Sequence, residues 1–208
     1  MPETRFWMIR HAIVEESARL RIYGATDVEL CPHSLEAQQP MYAALARRLP
    51  RGKQVVWIAS PLSRTQRTGA AIFAAGYPEQ TLTIEPGITE LSFGAWQGRT
   101  NAEVQPEFTL QPHPFWSIAG DERPPGGESM TDGIARLGAT LERLAAAHPG
   151  CDIVALSHGG AIRAAVAHAL RIPADSALRL SVENLSLTRL DHVGGFWRVD
   201  CVNELPGV

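Results

Sequence analysis

Three short apolar runs, rich in β-branched residues, each stop at a polar or small residue: 5–10 (RFWMIR), 55–60 (VVWIAS) and 151–157 (CDIVALS). That pattern predicts three buried strands. Helical spacing lies between and after them. In 34–49, Leu35, Tyr42, Leu45 and Leu49 fall on one face; in 129–147, Ile134, Leu137, Leu141 and Leu144 step by three and four. Ser129 offers an N-cap to the second of these, with Asp132 three residues on, and His148-Pro149-Gly150 offers a stop. Another helix is predicted from Ser60-Pro61, the serine capping and the proline first in line, to about Ala75. A fourth spans 160–171, closed by Pro173. The runs 186–190 and 196–202, split by Gly194-Gly195, read as a final hairpin.

Strands alternating with helices predict an α/β fold of three layers, α/β/α, with a mostly parallel central sheet and an antiparallel edge from the closing hairpin. One domain is expected over 1–208, which is the default for 208 residues of which 45% are hydrophobic. The least regular stretch, 85–127, carries several prolines; about 99–125 is expected to form a variable loop or lid.

In open α/β sheets, ligands bind at the carboxyl ends of the strands. The first strand ends at Arg10-His11. The second ends at Ser60-Pro61, with Arg64 a turn later. The third ends at Ser157-His158-Gly159-Gly160. Two arginines and two histidines, distant in sequence, should therefore meet, and two helix N-termini should add their partial positive charge. Arginine forms paired hydrogen bonds to oxyanions, and phosphate suits such a cluster best. A metal does not suit it, because arginines repel a cation and no carboxylate accompanies the histidines. One histidine can attack phosphorus, the arginines can offset the charge of the transferring group, and a leaving alkoxide needs an acid. Glu90, opening ELSFGAWQG, is the candidate acid. His33, His113, His148, His168 and His192 show no partner pattern and are expected at the surface; Trp96 and Trp116 are expected to pack loops.

Composition narrows the classes. Charged residues make up 20% and the net charge is −3, with a pI near 6.2. The basic excess of a nucleic-acid binder is missing. No apolar stretch approaches a membrane span, and the apolar run near the N-terminus is too short for a signal peptide. A cytoplasmic location is expected. Cys31, Cys151 and Cys201 are too scattered for a disulfide framework and are expected to fill the core in a reducing compartment.

Five segments in order resemble the histidine phosphatase superfamily, also called phosphoglycerate mutase-like: Arg10-His11-Ala12, SPLSRTQRT (60–68), ELSFGAWQG (90–98), GGES (126–129) and SHGGAIR (157–163). The pattern is closest to the small α-ribazole phosphatase-like members. The resemblance implies that His11 is phosphorylated, that Arg10, Arg64 and His158 hold the phosphoryl group, and that Glu90 acts as acid and then as base. Arg21, Tyr23 and Gly24 match a stretch that lines the substrate side. Two departures stand out. Ala12 replaces a glycine, and its methyl would crowd the pocket if the backbone there needs a positive φ. The family's E-[ST]-x-x-N after the histidine is also missing.

The expected function is hydrolysis of a small phosphorylated metabolite through phosphohistidine, with no cofactor or metal. A cofactor-dependent phosphoglycerate mutase is the alternative enzyme, although ELSFG and WQGRTN stand where mutases carry E-R-H-Y-G and G-L-N-K. A phosphate-ester binding module is the non-enzyme alternative. No nucleic-acid or membrane partner is expected; oligomeric state stays open, with a homodimer as one option.

Overall fold

A computed structural model describes residues 2–207. The elements run β1 (Glu3–Arg10), α1 (Glu16–Arg19), α2 (Pro32–Ala37), α3 (Gln39–Arg48), β2 (Val55–Ala59), α4 (Ser63–Ala74) and β3 (Thr83–Ile84). They continue with α5 (Asn101–Val104), α6 (Met130–Ala147), β4 (Asp152–Ser157), α7 (Gly159–Leu170), α8 (Ala174–Ala177), β5 (Leu187–Val193) and β6 (Phe196–Glu204). The sheet order is β3-β2-β4-β1-β5-β6. β1 to β4 pair in parallel. β5 joins β1 antiparallel and carries β6 beyond it. This is the expected α/β fold, with the closing hairpin as its antiparallel edge.

Strand alternation divides the core. Phe6, Met8, Ile58, Ile153 and Ala155 face α6 and α7. Trp7, Ile9, Trp57, Ala59, Val154 and Leu156 face the other way, against Tyr42, Leu45 and Ile72 of α3 and α4. Both faces of the central strands are thus covered, which is why the strands read as unbroken apolar runs.

Several local expectations change. The helix expected over 34–49 is two helices meeting at Gln38, since Pro40 has no N–H to carry the ladder onward. The helix expected at Ser60 opens at Ser63 instead. β3 and the short helices α1, α5 and α8 were not foreseen. The three cysteines are free but only half-buried, so they do not fill the core. His168 and His192 are not solitary: they lie 3.2 and 3.7 Å from the two carboxylate oxygens of Glu142, which also accepts a hydrogen bond from Trp197 Nε1. No helix among the described residues is long and apolar enough to cross a membrane.

β1 and β4 are neighbours whose chains depart to opposite faces, β1 toward α3 and β4 into α7. A crevice opens where neighbouring strands part in this way. Arg10 ends β1 and Ser157 ends β4, directly across from it.

Candidate active site

His11 follows β1, and its N–H donates to Ser157 O at 3.0 Å. The ring is 1% exposed. Its Nδ1 stands 2.7 Å from Ala12 O. A carbonyl can only accept, so Nδ1 carries the proton and Nε2 keeps its lone pair. Burial, then the charges of Arg64 and Arg10, hold the ring's pKa well below the usual histidine value, so it is neutral. Nε2 has no hydrogen-bond partner among the described residues and is not one of the fully occluded unpaired atoms, so it keeps access to the space above.

His158 lies edge-on to His11, ring centroids 5.2 Å apart. It takes the opposite tautomer. Arg64 Nε donates to its Nδ1 at 3.3 Å, so the proton sits on Nε2 and points to Ser60 Oγ at 2.8 Å. Burial, then His11, Arg64 and Arg10, keep this ring neutral too. It stands at the head of α7 but makes no side-chain cap. The Ser60 hydroxyl meets His158 and accepts from Leu62 N–H at 3.3 Å, while α4 opens at Ser63 without a side-chain cap.

Arg64 is fully buried. Its Nη2 donates to Gly24 O and its Nη1 to Thr26 O, both at 2.7 Å, and the guanidinium lies 5.3 Å over the Tyr23 ring. Gly24 takes φ +41°, and a Cβ there would strike Phe93 and Leu91 O. The glycine is required to bring its carbonyl under Arg64. Arg10 Nη1 donates to Val182 O at 2.6 Å, and its Nε is buried without a partner. Arg21 Nη1 donates to Gly98 O at 2.8 Å at the outer rim. Arg10, Arg21 and Arg64 pair with no carboxylate among the described residues, whereas Arg136, Arg143, Arg189 and others elsewhere do. Three cations thus gather at one end of the sheet without a direct ion pair, with Glu90 and Asp27 the carboxylates near enough to act on Arg64.

The helix N-termini behave differently from expectation. Glu90 occupies that of α7: Gly160 N–H donates to Oε2 at 3.1 Å and Ala161 N–H to Oε1 at 3.0 Å. Gly160 is needed there, since a Cβ would stand 2.5 Å from Glu90 Oε1. Asp27 occupies that of α4, accepting from Ser63 N–H at 3.0 Å. Each dipole is already capped by a carboxylate, so the cationic side chains, not the helix ends, supply the free charge. The Glu90 loop is bracketed. Arg136 donates to Gly87 O and Thr89 O before it, while Glu128, of the GGES segment, accepts from Ser92 N–H after it.

Ala12 has no positive φ; its methyl is fully buried with Trp7 and Ile9. It does not crowd the site. Its N–H donates to Thr68 Oγ1, and Asn184 Nδ2 donates to His11 O at 2.7 Å. Asn184 was missed because nothing local marks it.

A cavity of about 230 Å³ opens over this floor, walled by Arg10, Tyr23, Glu90, Trp116, Gly159 and Arg163 among others. Arg21 and Gly24 also line it, whereas His11, Arg64 and His158 are buried and stand outside its lining. The segment 99–125 contributes Asn101, Trp116, Ser117 and Ile118. Trp96 is a buried packing residue as expected, with its Nε1 on Glu107. Trp116 differs from expectation: it forms cavity wall as well as packing. Among the described residues no cluster of three or more His, Cys, Asp or Glu side chains is placed to hold a metal ion.

The model of the Histidine phosphatase superfamily (branch 1) matches residues 6–205. The "Probable phosphoglycerate mutase GpmB" of Serratia proteamaculans is 29% identical over 191 residues, covering 92% of this chain and 86% of that one. Its namesake from Yersinia pestis is 28% identical over 192 residues, with the same shares covered. A mycobacterial glucosyl-3-phosphoglycerate phosphatase superposes with a TM-score of 0.79 at 26% identity, over 97% of this chain and 99% of that one. An Escherichia coli chain, provisionally described as an α-ribazole-5′-phosphate phosphatase, gives a TM-score of 0.78 over 99% and 98% of the two chains. Its 20% identity speaks for a shared fold alone.

Proposed function

The chain belongs to the histidine phosphatase superfamily, and from that premise we propose that it hydrolyses a small phosphate monoester through a phosphohistidine on His11. One observation carries the reading. A neutral imidazole has its Nδ1 proton fixed on Ala12 O, leaving the Nε2 lone pair among arginines that form no direct ion pair with a carboxylate among the described residues.

In this reading Nε2 attacks phosphorus and the ester P–O bond breaks. Arg10 and Arg64 offset the charge spread over the equatorial oxygens. Arg64 has five N–H bonds and spends three on Gly24 O, Thr26 O and His158, so two remain for the anion. His158 fixes Arg64 by accepting from its Nε. Glu90, a carboxylate at rest, takes the proton that a monoanionic ester carries and passes it to the leaving alkoxide. In the second step it takes one from water, which attacks the phosphohistidine and releases inorganic phosphate with His11 neutral again. No metal or cofactor enters these steps. The test is a phosphometabolite screen comparing the wild type with His11→Ala. Hydrolysis that vanishes in the variant supports the reading, and hydrolysis that survives refutes it.

A second reading, phosphoglycerate mutase, is favoured by the names of the GpmB relatives. Hydrolysis is preferred because the phosphatase neighbour spans nearly the whole chain, and because ELSFG and WQGRTN replace the segments mutases carry. Enzyme primed with a bisphosphoglycerate separates the two: a mutase passes the phosphoryl group to 3-phosphoglycerate, a phosphatase to water.

A further inference from the structure

The main chain around His11 is held from several sides. His11 N–H donates to Ser157 O and Ala12 N–H to Thr68 Oγ1, each at 3.0 Å, so β4 and α4 fix the two amides. The carbonyls belong to one short turn between α8 and β5. Leu185 N–H donates to Arg10 O at 3.0 Å. Asn184 Nδ2 donates to His11 O at 2.7 Å and to Ala12 O at 3.3 Å. Three successive carbonyls are thus met by two successive residues from the far end of the chain. Both oxygens facing Asn184 can only accept, so the NH2 end of its amide points to them and both of its N–H bonds are used.

The turn carries strain. Leu185 sits at φ +61°, a left-handed backbone that a leucine rarely takes. Such strain persists only where the surroundings over-determine it, and the Leu185 side chain is fully buried in one core cluster with Trp7 and Ile9. Asn203, on β6, braces the turn from outside: its Oδ1 accepts from Glu183 N–H at 2.6 Å. Of the three carbonyls, that of Ala12 has a second task. It accepts from His11 Nδ1 at 2.7 Å as well as from Asn184, one hydrogen bond for each lone pair. A ring bonded to the carbonyl of the next residue depends on how that peptide is turned. Apart from His11 itself, Asn184 is the group that holds the Ala12 carbonyl among the described residues. Were the peptide released, the ring proton would be free to move to Nε2 and block the lone pair there.

We propose that Asn184 is a positioning residue for the nucleophile: its amide clasps His11 O and Ala12 O together and so keeps the ring proton of His11 on Nδ1 and the lone pair on Nε2. Asn184 acts through these two carbonyls and does not line the cavity. The proposal rests on the hydrolase reading only in calling His11 the nucleophile; where the ring proton sits is a property of the protein without substrate.

The test reads the ring proton directly. Long-range nitrogen–proton NMR of protein carrying isotopically labelled histidine, at mildly alkaline pH, separates the two neutral tautomers, and the His11 signals are those lost in His11→Gln. The wild type should show the His11 proton on Nδ1. Asn184→Leu keeps the size and removes the donor. It should move a substantial part of the His11 population to the Nε2–H form and leave the constant for inorganic phosphate nearly unchanged. Its kcat should fall roughly tenfold, the worth of one or two neutral hydrogen bonds. Asn184→Asp matches the side chain in size but offers acceptors alone; it should shift the proton in the same way, and it decides the matter if the leucine variant does not fold. Asn203→Gly loosens the same turn without touching either carbonyl, so its tautomer should stay that of the wild type. A proton already on Nε2 in the wild type, or a wild-type tautomer in the Asn184 variants, overturns the proposal. So does an equal shift in Asn203→Gly, which would reduce Asn184 to general support of the turn. A tautomer shift in Asn184→Leu, in a protein whose wild type turns over no ester, would sink the hydrolase reading and leave the clasp standing.

Discussion

Two neutral histidines buried beside arginines make stability depend on pH in a definite way. His11 and His158 are almost wholly buried, and both have folded-state pKa values well below the ordinary 6.5. At pH 7.5 both are neutral whether the chain is folded or not, so neither contributes a pH-dependent term. As pH falls through 6.5, the unfolded chain takes up two protons that the folded chain refuses. The unfolded state then binds more protons, so stability falls with falling pH. Each refused proton costs about 1.4 kcal/mol per pH unit once the unfolded group is protonated. Between pH 7.5 and 5.5 the pair should therefore remove up to about 3 kcal/mol, a large share of the roughly 5–15 kcal/mol typical of a domain. The carboxylates with depressed values, Glu103, Glu107, Asp132, Glu142 and Glu204, act only at lower pH, near and below the ordinary carboxylate values of 3.8 to 4.5. Denaturant unfolding at the two pH values measures the loss, and His11→Gln or His158→Gln should each cut it by about half. A loss that neither substitution changes would refute the claim that these rings are held neutral by burial.

The remaining predictions concern catalysis and packing. Arg64→Ala should lower turnover and raise the apparent vanadate constant, by about 1.5–3 kcal/mol for a charge-assisted contact; wild-type kinetics would place Arg64 outside the site. Glu90→Gln should slow esters with poor leaving groups most and nitrophenyl phosphate least, and an equal loss on both would indicate positioning instead. Ala12→Gly should reduce unfolding stability by about 1 kcal/mol, from the lost buried methyl and added backbone freedom, without raising turnover. A faster glycine variant would show that the methyl obstructs the site after all.

The strand ends could be read from sequence because β1, β2 and β4 are covered on both faces, so each apolar run stops where the crevice begins. Arg10, His11, Arg64 and His158 followed from those ends. The pairings that give each group its form did not. Glu90 reaches the α7 amides across seventy positions and Asp27 reaches Ser63 across thirty-six, with no local pattern to reveal either. The two histidine tautomers depend on Ala12 O and Arg64 Nε, contacts that exist only in the folded chain. Arg163 closes the SHGGAIR segment, but its contact with Trp116, from a loop nearly fifty positions earlier, has no local pattern either. The break at Pro40 was overlooked because the apolar spacing runs straight through it, although the missing N–H ends α2 before α3 begins.

The central claim is that His11 Nε2 becomes covalently phosphorylated. Turnover quenched under alkaline conditions, which spare a phosphoramidate, followed by peptide mass spectrometry addresses it directly. The account predicts one phosphoryl group on the peptide bearing His11, lost on acid treatment and missing from His11→Ala. Phosphate found on another residue, or hydrolysis that continues in His11→Ala with no adduct, would contradict it.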